Sequence, residues 1–169
     1  MNDSSKKWFA VYTKPRWEKK INAILQSKGI ESWCPLHKIV RQWSDRKKII
    51  EDTLFKSYVF VNVNEEERIQ VLQTNGVLNF VFYLGKPAVI KDDEIHLIKS
   101  YLQEKDATIT THSWDSLAPD IKVKIQHGVF MDNTGTVLRT SRKKVYVRLE
   151  SLGQVMVVEF PAAHVTPIQ

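Results

Sequence analysis

The stretch 54–63, Leu-Phe-Lys-Ser-Tyr-Val-Phe-Val-Asn-Val, constrains the fold more than any other part of the chain. It is rich in aromatic and β-branched residues, with no glycine or proline inside it, which is the composition of a strand. Alternation sends Tyr58, Phe60 and Asn62 to one side and Val59, Val61 and Val63 to the other. Apolar side chains on both sides require cover on both sides, from the protein itself or from a partner. The stretch is therefore expected at the centre of an α+β domain.

The flanking segments fit that centre. Residues 8–13 alternate as a first strand, Pro15 stands where a helix can begin, and Trp17, Ile21, Ile24 and Leu25 form one helical stripe. Residues 30–43 and 48–50 read as the arms of a long hairpin whose tip carries Arg46, Lys47 and Lys48, with Arg41 nearby. Asn64 followed by three glutamates is a helix start, with Ile69 and Leu72 expected to face the core. Residues 77–83 read as one further strand, and Asp92 opens a third helix with Ile95, Ile98 and Leu102 on one side. An antiparallel sheet with helices packed against it satisfies this order over residues 1–103. Residues 104–121 have weak periodicity and read as a linker, with a short strand allowed at 108–112. Residues 122–169 show strands about every ten residues, broken by Gly128, Gly135 and Gly153, the pattern of a small β-barrel.

Composition narrows the function. The net charge is +6, placed as two basic ends, +6 over residues 1–43 and +4 over 122–169, around a mildly acidic middle. A polyanionic partner such as nucleic acid fits this distribution, and so does an ordinary solvated surface. No apolar run reaches membrane-spanning length and the N-terminus lacks the apolar core of a signal peptide, so a cytoplasmic protein without membrane association, a monomer, is expected. Cys34 is the sole cysteine, which excludes an internal disulfide and a cysteine-based zinc cluster. The five histidines show no metal-ligand spacing, and no phosphate-binding glycine loop or nucleophile elbow is present; neither catalysis nor a cofactor is expected.

Leu-Phe-Lys-Ser-Tyr-Val-Phe-Val resembles the Leu-Phe-Pro-Gly-Tyr-Val-Phe-Val signature of the NusG family of transcription elongation factors, with Lys56-Ser57 in place of Pro-Gly. The resemblance extends upstream to residues 8–15. Downstream it takes in His127-Gly128-Val129-Phe130 and Gly135-Thr136-Val137, similar to the family's KOW motif, in which Gly128, Phe130, Gly135 and Val137 are the matching positions. It implies an N-terminal NGN domain and a C-terminal KOW barrel. It further implies that Phe55, Tyr58, Phe60, Phe80 and Tyr83 form a hydrophobic cavity for the clamp helices of the largest catalytic subunit of RNA polymerase. Plain core packing is the competing account of these rings. Lys14, Arg16, Trp17, Lys19 and Lys20 form a basic patch with an interleaved ring, the chemistry that holds single-stranded nucleic acid; the resemblance adds Tyr12 and implies the non-template DNA strand or nascent RNA as the ligand. A solvated helix surface with Trp17 buried is the alternative. For the barrel the resemblance implies a small-subunit ribosomal protein, the termination factor Rho or RNA as partner. The functional expectation is an elongation or antitermination factor, a specialised paralogue ahead of a housekeeping one. A KOW-type RNA- or ribosome-binding protein that ignores polymerase is the reading from a different class.

Overall fold

The computed structural model describes residues 5–104, 107–120, 136–137 and 142–161. The chain divides into two compact units, Met1–Ile95 and His96–Gln169. Among the described residues no helix is long and apolar enough to cross a membrane.

The first unit is built on strands β1 (Lys7–Thr13), β2 (Glu31–Trp33), β5 (Tyr58–Val63) and β6 (Val77–Phe80), antiparallel in the order β2-β5-β1-β6. The central pair runs from Lys7↔Val63 to Tyr12↔Tyr58. This register places Phe9 and Val11 beside Val59, Val61 and Val63 on one side of the sheet. There they meet Ile21 and Leu25 of α1 (Glu18–Ser27) and Val71 of α2 (Glu65–Leu72) in one buried cluster. On the other side stand Trp8, Ala10, Phe60 and Trp33, of which the first three are buried. The double-sided apolar pattern of residues 54–63 is thus that of a central strand with both faces filled at its middle.

Between β2 and β5 the chain makes a two-stranded ribbon, β3 (Leu36–Gln42) paired with β4 (Lys47–Thr53). Its outer part is exposed on both faces from Val40 to Ile49. α2 carries the expected start: Asn64 Oδ1 accepts from Glu67 N–H at 2.9 Å while Asn64 N–H donates back to Glu67 Oε2 at 3.1 Å.

Three expectations are corrected. Pro15 does not open α1. It is the second residue of a turn closed by Trp17 N–H donating to Lys14 O at 3.1 Å, with Arg16 at φ 68°, and the helix starts at Glu18. Ile69 and Leu72 face solvent; Val71 takes the buried position of this two-turn helix. The single strand read at 77–83 is broken at Val81. β6 pairs with β1, then β7 (Phe82–Tyr83) folds back on β8 (Lys86–Pro87) through Leu84 (φ 53°) and Gly85 (φ 77°). That is a two-residue hairpin loop with both residues left-handed. The short strand allowed at 108–112 is present and one residue longer. β9 (Thr108–Ser113) pairs with β12 (Gln154–Pro161) over six positions.

α3 (Asp92–Leu102) starts at the expected Asp92 and contains the boundary between the units. The second unit holds the antiparallel sheet β10-β11-β12-β9, with β10 (Thr136–Val137) and β11 (Arg142–Leu149). The 3-10 turn Glu150–Leu152 and Gly153 at φ 63° join β11 to β12 at the predicted bend. Its core includes Ile109, Val147, Leu149, Val155 and Met156. A further 3-10 turn, Trp114–Ser116, lays the Trp114 ring under the Arg148 guanidinium at 4.0 Å. This small β unit fits a KOW-type domain. The strand expected at 123–125 and the motif residues Gly128, Phe130 and Gly135 lie outside the described residues. Val137 lies in β10 opposite Lys143.

Gly76, at φ 97°, closes the turn from α2 into β6, and a Cβ there would lie 2.5 Å from Trp17 Cε3. The left-handed backbone and the ring contact act together, so Gly76→Ala is expected to lower unfolding stability by about 2–4 kcal/mol in urea titration.

Candidate functional site, the Tyr12–Tyr58 surface and its basic margin

The site begins with a turn. Tyr58 N–H donates to Phe55 O at 3.2 Å, and Ser57, the third residue, has φ 64°. A positive φ at that position alone defines a type II turn, for which proline then glycine are the favoured central residues. Here Lys56 and Ser57 make the same turn with other support. Ser57 N–H donates to Glu18 Oε1 at 2.7 Å, and Ser57 O accepts from Thr13 N–H at 2.9 Å. Lys56 Nζ is held by Asp52 Oδ2 at 2.5 Å. The turn thereby ties the start of β5 to the end of β1 and the first residue of α1. Glu18 is buried, and as the opening residue of α1 its carboxylate also lies at the positive end of the helix dipole.

This anchoring sets Tyr58 beside Tyr12. The two are register partners, their ring centroids 5.1 Å apart and tilted by 45°. Tyr12 is 38% exposed and Tyr58 half-buried, so the pair forms the open end of a sheet face whose middle is closed. Phe60, two residues further along the same face, is fully buried between Phe55 (5.4 Å, edge-on) and Trp33 (5.7 Å).

The five rings expected to line one cavity are therefore not one surface. Phe55 and Phe60 are interior. Phe80 lies on the other face of the sheet, buried edge-on against Phe9 at 5.7 Å. The cause is its register: it is paired with Val11, whose side chain points to the helices. Tyr83 is exposed on the β7–β8 hairpin, outside the four-stranded sheet. Tyr58 alone of the five meets solvent on that sheet face, and Tyr12, expected in the nucleic-acid patch, joins it there.

The basic patch is assembled from three pieces. Lys14 follows β1, Arg16 sits in the turn before α1, and Lys19 and Lys20 ride the helix. All four are exposed. Trp17 is half-buried against Gly76, with the Lys14 and Lys20 ammonium groups 5.0 and 4.2 Å from its ring centroid. The ring gathers two cations rather than lying open, each such contact contributing ~0.5–1 kcal/mol at an exposed site. Lys19 points elsewhere, donating to Glu51 O of β4 at 2.8 Å. Lys14 and Lys20 remain as a cationic margin around Trp17, with Arg16 in the turn between β1 and α1.

Sequence reasoning missed Glu18 and Trp43. Glu18 carries no signal beyond an acid in a first helical turn. Trp43, at the ribbon tip, has Lys48 4.8 Å and Arg46 5.7 Å from its ring; its position between two basic runs was the available clue. Cys34 is a packed residue: burial first, then the Glu18 charge, pushes its thiol up to about 11. Among the described residues no group of three or more His, Cys, Asp or Glu is placed to hold a metal ion.

The fold and surface define a two-unit α+β protein whose first unit presents an aromatic pair with a basic margin. The family model described as "Transcription termination factor nusG" matches residues 6–99. The chain belongs to the NusG family. It is 23% identical to the transcription termination/antitermination protein NusG of Borreliella burgdorferi, over 97% of this chain and 100% of that one. It is 28% identical to the protein of the same name from Staphylococcus aureus, over 92% of each. A solved structure titled "Domain interaction in Thermotoga maritima NusG" aligns with TM-score 0.48 and 20% identity, over 97% of this chain and 98% of that one.

Ser57→Gly should raise stability by about 0.5–1 kcal/mol, relief of the left-handed strain exceeding the added freedom of the unfolded chain. Glu18→Ala should lower it by about 1–3 kcal/mol, since the Ser57 N–H loses its acceptor; equilibrium denaturation checks both. The Lys56 hydrogen bond holds the Asp52 carboxyl below the usual carboxylate range. A depressed folded-state pKa contributes stability above the unfolded value and loses it as pH falls. The stability difference between wild type and Lys56→Met should hold steady at neutral pH and shrink below about pH 4.

Proposed function

We propose that this protein is a transcription elongation or antitermination factor that docks on RNA polymerase through the Tyr12–Tyr58 end of its first sheet. The observation that carries this reading is the tilted tyrosine pair, open to solvent at the position of the family signature and held there by a turn bonded to β1 and α1. Aromatic side chains that are rigid, partly apolar and tipped with a hydroxyl are the usual anchors of a protein interface. The clamp helices of the largest catalytic subunit would lay apolar side chains against this pair. Phe55 and Phe60 would act from inside, keeping the strand that carries Tyr58 in place. A factor that binds the closed clamp better than the open one shifts the population towards it, and so disfavours pausing and termination. Neither chemistry nor a cofactor is needed, and the work is done in the cytoplasm, where the polymerase is.

Lys14, Arg16 and Lys20, the cations around Trp17 and its turn, would hold the phosphates of the exposed non-template strand or of nascent RNA. The C-terminal unit would recruit a second partner, a small-subunit ribosomal protein, Rho or RNA. The Lys56-Ser57 departure from the family signature supports a specialised paralogue that serves few operons. The relatives named above, each a termination/antitermination protein, favour a second reading as a housekeeping factor. Chromatin occupancy separates the two, a few operons against most genes.

The test is retention on core polymerase followed by a pause assay. Tyr12→Ala with Tyr58→Ala should cut retention at least ~10-fold and abolish the effect on pausing while the far-ultraviolet spectrum stays unchanged. Unchanged retention would refute the docking reading and favour an RNA- or ribosome-binding protein. For nucleic acid, Lys14→Gln and Lys20→Gln should each flatten the dependence of log affinity on log salt by about 0.7 for a single strand.

A further inference from the structure

The outward-facing Ile69 and Leu72 lie on a second surface, on the helix-bearing side of the sheet. With Phe80, Phe82 and Pro87 they line an apolar hollow of about 360 Å³. Ile69 is 59% and Phe82 51% exposed, values that an ordinary core helix and strand would not leave. A second hollow of about 350 Å³ adjoins it, sharing Glu65, Arg68 and Pro87, and is rimmed by Lys7, Lys86 and Val89 over a floor that includes Phe9. Arg68 stands at the junction, its guanidinium 5.5 Å from the Phe9 ring centroid and 3.9 Å from Glu65. The groove thus passes from an apolar end to a cationic one, where three positive side chains face one carboxylate.

We propose that this groove binds a short acidic segment of a partner protein that carries large apolar side chains. Leucine or phenylalanine would fill the hollow beside Ile69, Leu72 and Phe82, and aspartate or glutamate would meet Lys7, Arg68 and Lys86. The charge pattern selects this occupant. Nucleic acid would press phosphates against the apolar end, a basic peptide would oppose the three cations, and a second copy of the chain would bring its own cations to the same groove. The tyrosine pair lies on the opposite side of the sheet, because Phe9 and Phe80 point to the helices while Tyr12 and Tyr58 point away. The two surfaces can be occupied together, and the inference does not rest on the polymerase reading.

The experiment is fluorescence anisotropy of a short fluorescein-labelled peptide of Asp, Glu, Leu and Phe, titrated with the full chain and compared with the same peptide carrying Asn and Gln. The acidic peptide should bind about tenfold more tightly than its amide counterpart. Ile69→Ser with Leu72→Ser, and separately Arg68→Gln with Lys86→Gln, should each weaken it about tenfold, and Lys91→Gln should not. If the apolar pair of substitutions disturbs folding, the charge pair alone decides. Equal binding of the two peptides, no binding of either, or indifference to the charge substitutions overturns the proposal. So does a concentration-dependent dimer, seen by sedimentation, that Ile69→Ser with Leu72→Ser abolishes.

Discussion

The antiparallel pairing of β1 with β5 is the constraint from which the rest of the first unit follows. Because side chains alternate along both strands, one choice of register sorts every residue on them to a face. With Tyr12 opposite Tyr58, Phe9, Val11, Val59, Val61 and Val63 fall together against α1 and α2. The same register leaves the other face to Ala10, Phe60 and the two tyrosines. A slip of β5 by one residue would send its valines to the aromatic side and Tyr58 into the helices. The sorting also decides which rings can meet a partner, since Phe60 sits in mid-sheet and Tyr58 at its margin.

The Lys56-Ser57 turn shows how a departure from a family signature can leave shape intact. Proline and glycine favour a type II turn through the backbone alone. This chain has neither and keeps the geometry with side-chain and main-chain bonds from three other elements: Asp52 of β4, Glu18 of α1 and Thr13 of β1. The conformation that is intrinsic in the signature has become tertiary here. What Lys56-Ser57 changes is therefore surface chemistry, a lysine where the signature has proline, and not the course of the chain.

Much of the fold was legible because local signals agreed with tertiary ones. The valines of β5, the Ile21–Leu25 stripe of α1 and the Asn64 cap each specify in sequence what they do in space. The failures share a cause: a choice of partner that lies outside the local window. Nothing within residues 77–83 marks Val81 as the point where the chain leaves β1, since Val81 N–H still bonds Ala10 O at 2.9 Å while its carbonyl accepts from Ala88 at 2.8 Å. Ile69 and Leu72 looked like core because apolar spacing cannot distinguish a side facing the sheet from a side facing a groove. At the site, rings were identifiable by type, but their faces were fixed by registers that only coordinates supply: Phe80 turned inward with Val11, Tyr12 outward with Tyr58.

The hydrogen bond from Lys19 to the Glu51 carbonyl joins the basic helix to the ribbon, two elements that the sequence keeps 32 positions apart. The far half of the ribbon is bare on both sides, and this bond lies nearer its base, where β4 meets α1. A body that leaned on the tip at Trp43 would load α1 through that joint, and with it the cations gathered around Trp17. A partner that held the ribbon would in this way also adjoin the helix that carries Lys20 and its ring contact to Trp17.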